Sequence, residues 1–122
     1  MWIYSQSSGL LKKADGSVFA QCYSGHGDGL NNPQMQGIHD VGPLPQGKYA
    51  MSALIDSPHT GRATVVLDPD PANSMFGRSG FRMHGDNLAS NHTASDGCII
   101  VPGIAARLAI WQSGDHELMV ES

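Results

Sequence analysis

The sequence predicts a mainly β fold with one short helix, in a single domain over residues 1–122. Three observations lead there. Fifteen Gly and seven Pro punctuate the chain, as the turns between many short strands require. Apolar and polar residues alternate in several short runs, the period of a strand. One segment alone, from Ile104 to Trp111, carries its apolar residues at helical spacing.

Taken in order, residues 2–6 and 10–13 flank Ser-Ser-Gly and read as an opening hairpin. Asp15-Gly16 is a hairpin turn signal, and residues 17–24 follow as a strand. Alternation there puts Cys22 on a face with Val18 and Ala20, the setting of a packed small hydrophobe rather than a reactive thiol. Residues 25–47, rich in Gly, Asn and Pro, read as a long irregular segment of a kind that often serves binding. Residues 48–57 form a strand with Tyr49, Met51, Ala53 and Ile55 on one face. Residues 63–67 form another, stopped by Asp-Pro-Asp-Pro because proline cannot donate to a ladder. A loop over 72–80 leads to a short strand at 81–85. Ile99, Ile100 and Val101 make a buried strand. Pro102 suits the first turn of the helix, Ile104, Ala105, Leu108 and Trp111 are its expected inner face, and Gly114 ends it. Residues 116–121 are the last strand.

Composition narrows the function. The formal net charge is -4, and no Lys/Arg run is present, so nucleic acid and anionic membranes are poor partners. No apolar run is long enough to span a bilayer. The first residues lack the basic start and apolar block of a secretory leader, so action outside the cytoplasm would need another route. No CxxC and no close His/Cys set exists, so neither a metal nor a cofactor is expected. Cys22 and Cys98 could pair as one disulfide.

The chemistry concentrates in "RMHGDNLASNHTASDGCIIVP". A His beside a Cys makes a thiolate nucleophile and a proton donor for the leaving group. Gly97 lets backbone approach a substrate closely, and the Gly97 and Cys98 amides are candidate oxyanion donors. His84 needs an acceptor for its second ring nitrogen; Ser95, the Asp96 carbonyl and the Asp96 carboxylate are all candidates. The other histidines carry no partner pattern. His26 sits in a loop from which it could line the cleft, His92 lies in the loop near Cys98, and His39, His59 and His116 stand apart. Asn91-His92-Thr93 is a glycosylation sequon by letter only.

The ordered set "GPLPQGKY", "GRSGFRMHGD" and "SDGCIIVP" resembles the catalytic domain of L,D-transpeptidases of the YkuD type. It is most similar to their small relatives among type VI secretion effectors. The resemblance spans Gly42 to Pro102, about half of the chain. It implies a β-sandwich or mixed sheet, with Cys98 as nucleophile, His84 as its base, and Ser95, Asp96 and Gly97 as the supporting turn. Arg78 falls within a matched motif and is implied as a substrate contact; the residues alone also allow a solvated loop charge. Arg82 could bind a stem-peptide carboxylate or simply lie on a strand surface. Asp86 could hold the loop or His84, or be a turn residue. Two positions depart from the main family: Asp96 stands where His is usual, and Ile100 where Arg often follows the Cys by two residues. If Asp96 acted by its side chain it would keep His84 cationic. The loop between His84 and Cys98 is also short, which favours the effector-like branch.

The implied function is a cysteine-dependent peptidoglycan-modifying enzyme acting on stem peptides. It would remove D-Ala from tetrapeptides as an L,D-carboxypeptidase, or pass the acyl group to an amine as an L,D-transpeptidase. The implied setting is the periplasm of a target bacterium, reached through a secretion apparatus, with an immunity protein as a further partner. An NlpC/P60-type amidase is disfavoured, because there the Cys precedes the His. The alternative of another class is a non-catalytic wall-binding or interaction module with a Cys22–Cys98 disulfide.

Overall fold

The computed structural model describes all residues except Leu88 and Ser90. Among these residues nine strands form one mixed sheet: β1 (Trp2–Ser5), β2 (Leu10–Lys12), β3 (Val18–Gln21), β4 (Tyr23–Ser24), β5 (Gly47–Ser57), β6 (Gly61–Pro69), β7 (Arg82–His84), β8 (Ile99–Ile100) and β9 (Glu117–Glu121). Among the described residues one α-helix, α1 (Ile104–Gln112), joins β8 to β9. The order across the sheet is β3-β2-β1-β9-β5-β6-β7-β8-β4, so β3 and β4 are its two edges. Yet Gln21 and Tyr23, the end of one and the start of the other, are two residues apart in the chain. Two residues span only about 7 Å. The sheet therefore curls until its edges meet, and the core fills the inside.

Cys22 sits at that seam. The expected strand over 17–24 is in fact broken there, and Val18 is 58% exposed while Cys22 is 3% exposed. Alternation with Val18 thus fails, because the chain changes partners at Cys22. Its amide bonds the Gly9 carbonyl at 2.8 Å. Gly9 has φ +71, and a Cβ there would lie 2.2 Å from the Cys22 carbonyl oxygen, so only glycine allows this approach. Cys22 packs with Tyr4, Leu11, Met51, Met83, Ile99 and Leu118 in one apolar cluster. Its reading as a small hydrophobe stands, by a different geometry.

Two further expectations are corrected. On β5, Tyr49 and Met51 are buried, but a register shift between Met51 and Ala53 moves Leu54, rather than Ile55, against the core. On α1, Pro102 precedes the N-cap Gly103 and is not in the first turn. The buried helix residues are Arg107 and Ile110, and Trp111 packs against the core as expected, while Ile104 is 39% exposed. Arg107 turns inward because carbonyls satisfy it: Nε donates to Ala63 at 2.9 Å, Nη1 to Val101 at 2.6 Å and Nη2 to Arg62 at 3.2 Å. The helix is thus fastened to β6 and to the exit of β8.

The parallel pair β7 and β8 positions the chemistry. Met83 lies opposite Ile99 and His84 opposite Ile100. Met83 and Ile99 are 0% exposed and face the core, where each contributes about 1.5–3 kcal/mol. Period-two alternation then puts Arg82, His84, Cys98 and Ile100 on the other face.

Candidate active site

His84 closes β7, and Cys98 sits one residue before β8. Both line a cleft of about 360 Å³ with His59, Thr60, Phe81 and Asp96. A second hollow of about 240 Å³ shares Phe81 and Asp96 and continues toward His39. A hollow of about 430 Å³ between Trp2, Phe19 and Ala109 holds neither Cys nor His in its lining.

His84 Nδ1 is 2.9 Å from the Gly85 carbonyl oxygen. A carbonyl only accepts, so Nδ1 carries the hydrogen and Nε2 keeps its lone pair. The holder of the ring is therefore the next backbone carbonyl, not Ser95 or Asp96. Burial holds the imidazole below its ordinary value; Arg107 and Arg82 push the same way, while the Gly85 bond and Asp86 oppose them. His84 is neutral at neutral pH.

Burial also pushes the Cys98 thiol above its ordinary value. The Arg82 backbone amide at the sulfur and the Arg82 and Arg78 charges pull it down, and Asp96 pushes it up. Sγ also faces the Gly80 carbonyl oxygen, 4.0 Å away. The resting pair is thus thiol and neutral imidazole, rather than the preformed thiolate that the sequence suggests.

The turn before Cys98 is built from hydrogen bonds. Ser95 is 0% exposed. Its hydroxyl donates to the Cys98 carbonyl at 2.6 Å and accepts from the Gly25 amide at 2.9 Å and the Gly97 amide at 3.1 Å. One donor and two lone pairs are all used. The Gly97 amide is therefore engaged by Ser95, which corrects its reading as a free oxyanion donor. Ser24 Oγ donates to the Gly97 carbonyl at 2.9 Å, and His26 Nδ1 donates to the Ser95 carbonyl at 2.8 Å. The segment 24–26 is thereby stitched along 95–97. The Asp96 side chain is 75% exposed and turned to His26, 3.5 Å from Nδ1. It does not hold His84 cationic.

Arg78 is 6% exposed. Nη1 donates to the Gln36 carbonyl and, at 2.8 Å, to Pro43; Nη2 donates to Gly42 at 2.9 Å and Asp96 at 3.1 Å. Its charge lies 5.2 Å from the Phe81 ring centre. All four Nη hydrogens go to backbone, so Arg78 is a clamp on the 36–43 segment and corrects the expected substrate contact. Gly97 makes room for it: φ is +134, and a Cβ would fall 2.4 Å from Arg78 Nη2.

Asp86 accepts from the Tyr23 hydroxyl at 2.7 Å and from the Asn87 amide at 2.9 Å. Tyr23 also accepts from the Ala94 amide at 3.1 Å, so Asp86 and Tyr23 tie the two ends of the loop. Arg82 is half-buried, with Nη1 3.2 Å from Ser57 Oγ and 3.4 Å from Thr60 Oγ1. Sequence reasoning missed Ser24, Tyr23 and Arg107, whose letters carry no site signal, and gave His26 only a place in the cleft. Among the described residues no cluster of His, Cys, Asp or Glu could hold a metal. Both cysteines are free thiols.

Among solved structures, the chain is similar to an L,D-transpeptidase from Xylanimonas cellulosilytica, with 18% identity, a TM-score of 0.59, and coverage of 98% of this chain and 59% of that one. It also aligns with an L,D-transpeptidase from Mycobacterium tuberculosis at 15% identity and a TM-score of 0.49, covering 99% and 57% of the two chains. The first likeness shows a shared fold, and this chain spans 59% of that structure's length. No curated protein matches the sequence. Residues 19–121 match the Tlde1 domain, and the chain therefore belongs to the Tlde1 domain family.

Proposed function

We propose that this protein is a cysteine-dependent peptidoglycan-modifying enzyme that works as one catalytic domain over residues 1–122. The observation that carries the reading is the pairing of β7 with β8, which brings His84 and Cys98 to one face and one cleft. The L,D-transpeptidase fold and the Tlde1 family support it.

In this reading, a bound stem displaces water from the cleft. Sγ turns from Gly80 toward His84, and Nε2 takes the thiol proton as sulfur attacks the carbonyl of the third stem residue. The Cys98 amide donates to the oxyanion, since the Gly97 amide is taken. The C–N bond to D-Ala breaks, and His84 returns its proton to the departing amine. A thioester remains on Cys98. Water then yields a tripeptide acid, or an amine yields a new amide, and the thiol is restored. Family membership favours a secreted antibacterial effector that acts on the wall in the periplasm of a target cell, with a secretion apparatus and an immunity protein as partners. Two free thiols, one in the core, speak against a disulfide-linked binding module.

The test is digestion of purified tetrapeptide muropeptides by wild type and Cys98→Ala, read by mass spectrometry. Loss or replacement of the terminal D-Ala with wild type alone supports the reading. Unchanged muropeptides with wild type overturn it.

A further inference from the structure

We propose that Arg82 seats the free C-terminal carboxylate of the stem, so that the site selects peptides ending one residue beyond the scissile bond. This rests on the reaction proposed above and adds its substrate requirement.

The protein's two buried arginines are held by backbone: four carbonyls take the Nη hydrogens of Arg78, and three carbonyls engage every nitrogen of Arg107. Arg82 is different. Among the described residues only its Nη1 is engaged, by the hydroxyls of Ser57 and Thr60. Thr64 donates to the Gly61 carbonyl at 3.0 Å, so Thr60 must donate to Thr64 at 2.9 Å and turn a lone pair to Arg82. The guanidinium is thereby oriented from one side. Among the described residues it has no carboxylate within ion-pair distance. What remains open is the Nε–Nη2 edge, whose two parallel N–H groups match a carboxylate.

Location adds the second argument. The β7–β8 register sets Arg82 level with Cys98, on the face that carries His84. Thr60, which holds Nη1, itself lines the cleft. The cleft's acidic groups, Asp40 and Asp96, repel a carboxylate, and Arg82, not itself a lining residue but bonded to the lining residue Thr60, offers the opposite charge. A carboxylate held beside Cys98 belongs to the residue next to the scissile carbonyl.

The experiment measures binding by calorimetry to the Cys98→Ala protein, with a synthetic tetrapeptide stem and its C-terminal amide. The acid is expected to bind on the order of 10- to 100-fold more tightly, the range of one charge-assisted hydrogen-bonded pair. Adding Arg82→Gln should abolish that preference, and a circular dichroism spectrum unchanged from the parent reports that the variant is folded. Arg82→Lys should restore part of it. Equal binding of acid and amide, no binding of either, or a preference that survives Arg82→Gln overturns the inference. Acid-selective binding without turnover by wild type would uphold the seat and overturn the reaction.

Discussion

Arg78 Nη2 donates to the carbonyl of Asp96 at 3.1 Å, two residues before Cys98. The same guanidinium holds Gln36, Gly42 and Pro43, so one side chain ties the irregular segment to the candidate nucleophile's turn. Lysine has three donors on one point and cannot reproduce the fork. Arg78→Lys is expected to lose about 2–4 kcal/mol of stability, read as a lower urea midpoint at unchanged slope. A loss below about 0.5 kcal/mol, the range of ordinary surface changes, would show that the clamp is not structural.

Gly97→Ala tests the same contact from the other side. Its Cβ would lie 2.4 Å from Arg78 Nη2 and 2.8 Å from Phe81 Cε1, at φ +134. Strain and overpacking together should destabilise by about 2–4 kcal/mol. A variant with wild-type melting would refute the close approach.

The two thiols should react differently. Cys22 is 3% exposed and its thiol is pushed up to about 12 by burial, whereas Cys98 lines the cleft. Iodoacetamide on the native protein is expected to label Cys98 and leave Cys22 until unfolding. Peptide mapping reads the result, and equal labelling of both would contradict the buried seam.

Activity should form a broad plateau against pH. His84 lies below its ordinary value of 6.5 and Cys98 above its ordinary value of 9.0. The competent pair, neutral imidazole with thiol, is lost below the His84 value by protonation and above the Cys98 value by ionisation. The acid limb of kcat/KM should thus fall below pH 6.5. An acid limb above that pH would mean that His84 is not the base described.

Tyr23→Phe removes the donor to Asp86 and the acceptor of the Ala94 amide. The expected loss is about 1–2 kcal/mol, with faster hydrogen exchange at Ala94. Unchanged exchange there would show that the loop is held by other contacts.

Much of the placement of strands along the chain was legible in the letters, but not their order across the sheet. Asp15-Gly16 between apolar runs marks its hairpin, and the paired β2 and β3 are found there. Helix α1 was legible as a helix but not by its inner face, because Arg107 enters the core through three carbonyls that no side-chain pattern signals. The cluster at 84 and 95–98 was legible as chemistry. The division of labour inside it was not: Ser95 stitches backbone, and Gly85 rather than Asp96 holds His84.

The sequence by itself determined the mainly β class and the helix after Cys98, which follow from local periodicity, and it singled out His84 and Cys98 as a candidate pair through residue chemistry joined to a family resemblance. Tertiary structure decided the meeting of the sheet's edges at Cys22, the neutral state of the pair, and the contrast between backbone-held Arg78 and half-open Arg82. Each of those depends on burial and on backbone carbonyls brought from distant segments. Carbonyls are the same at every residue, so their placement leaves no mark in the sequence.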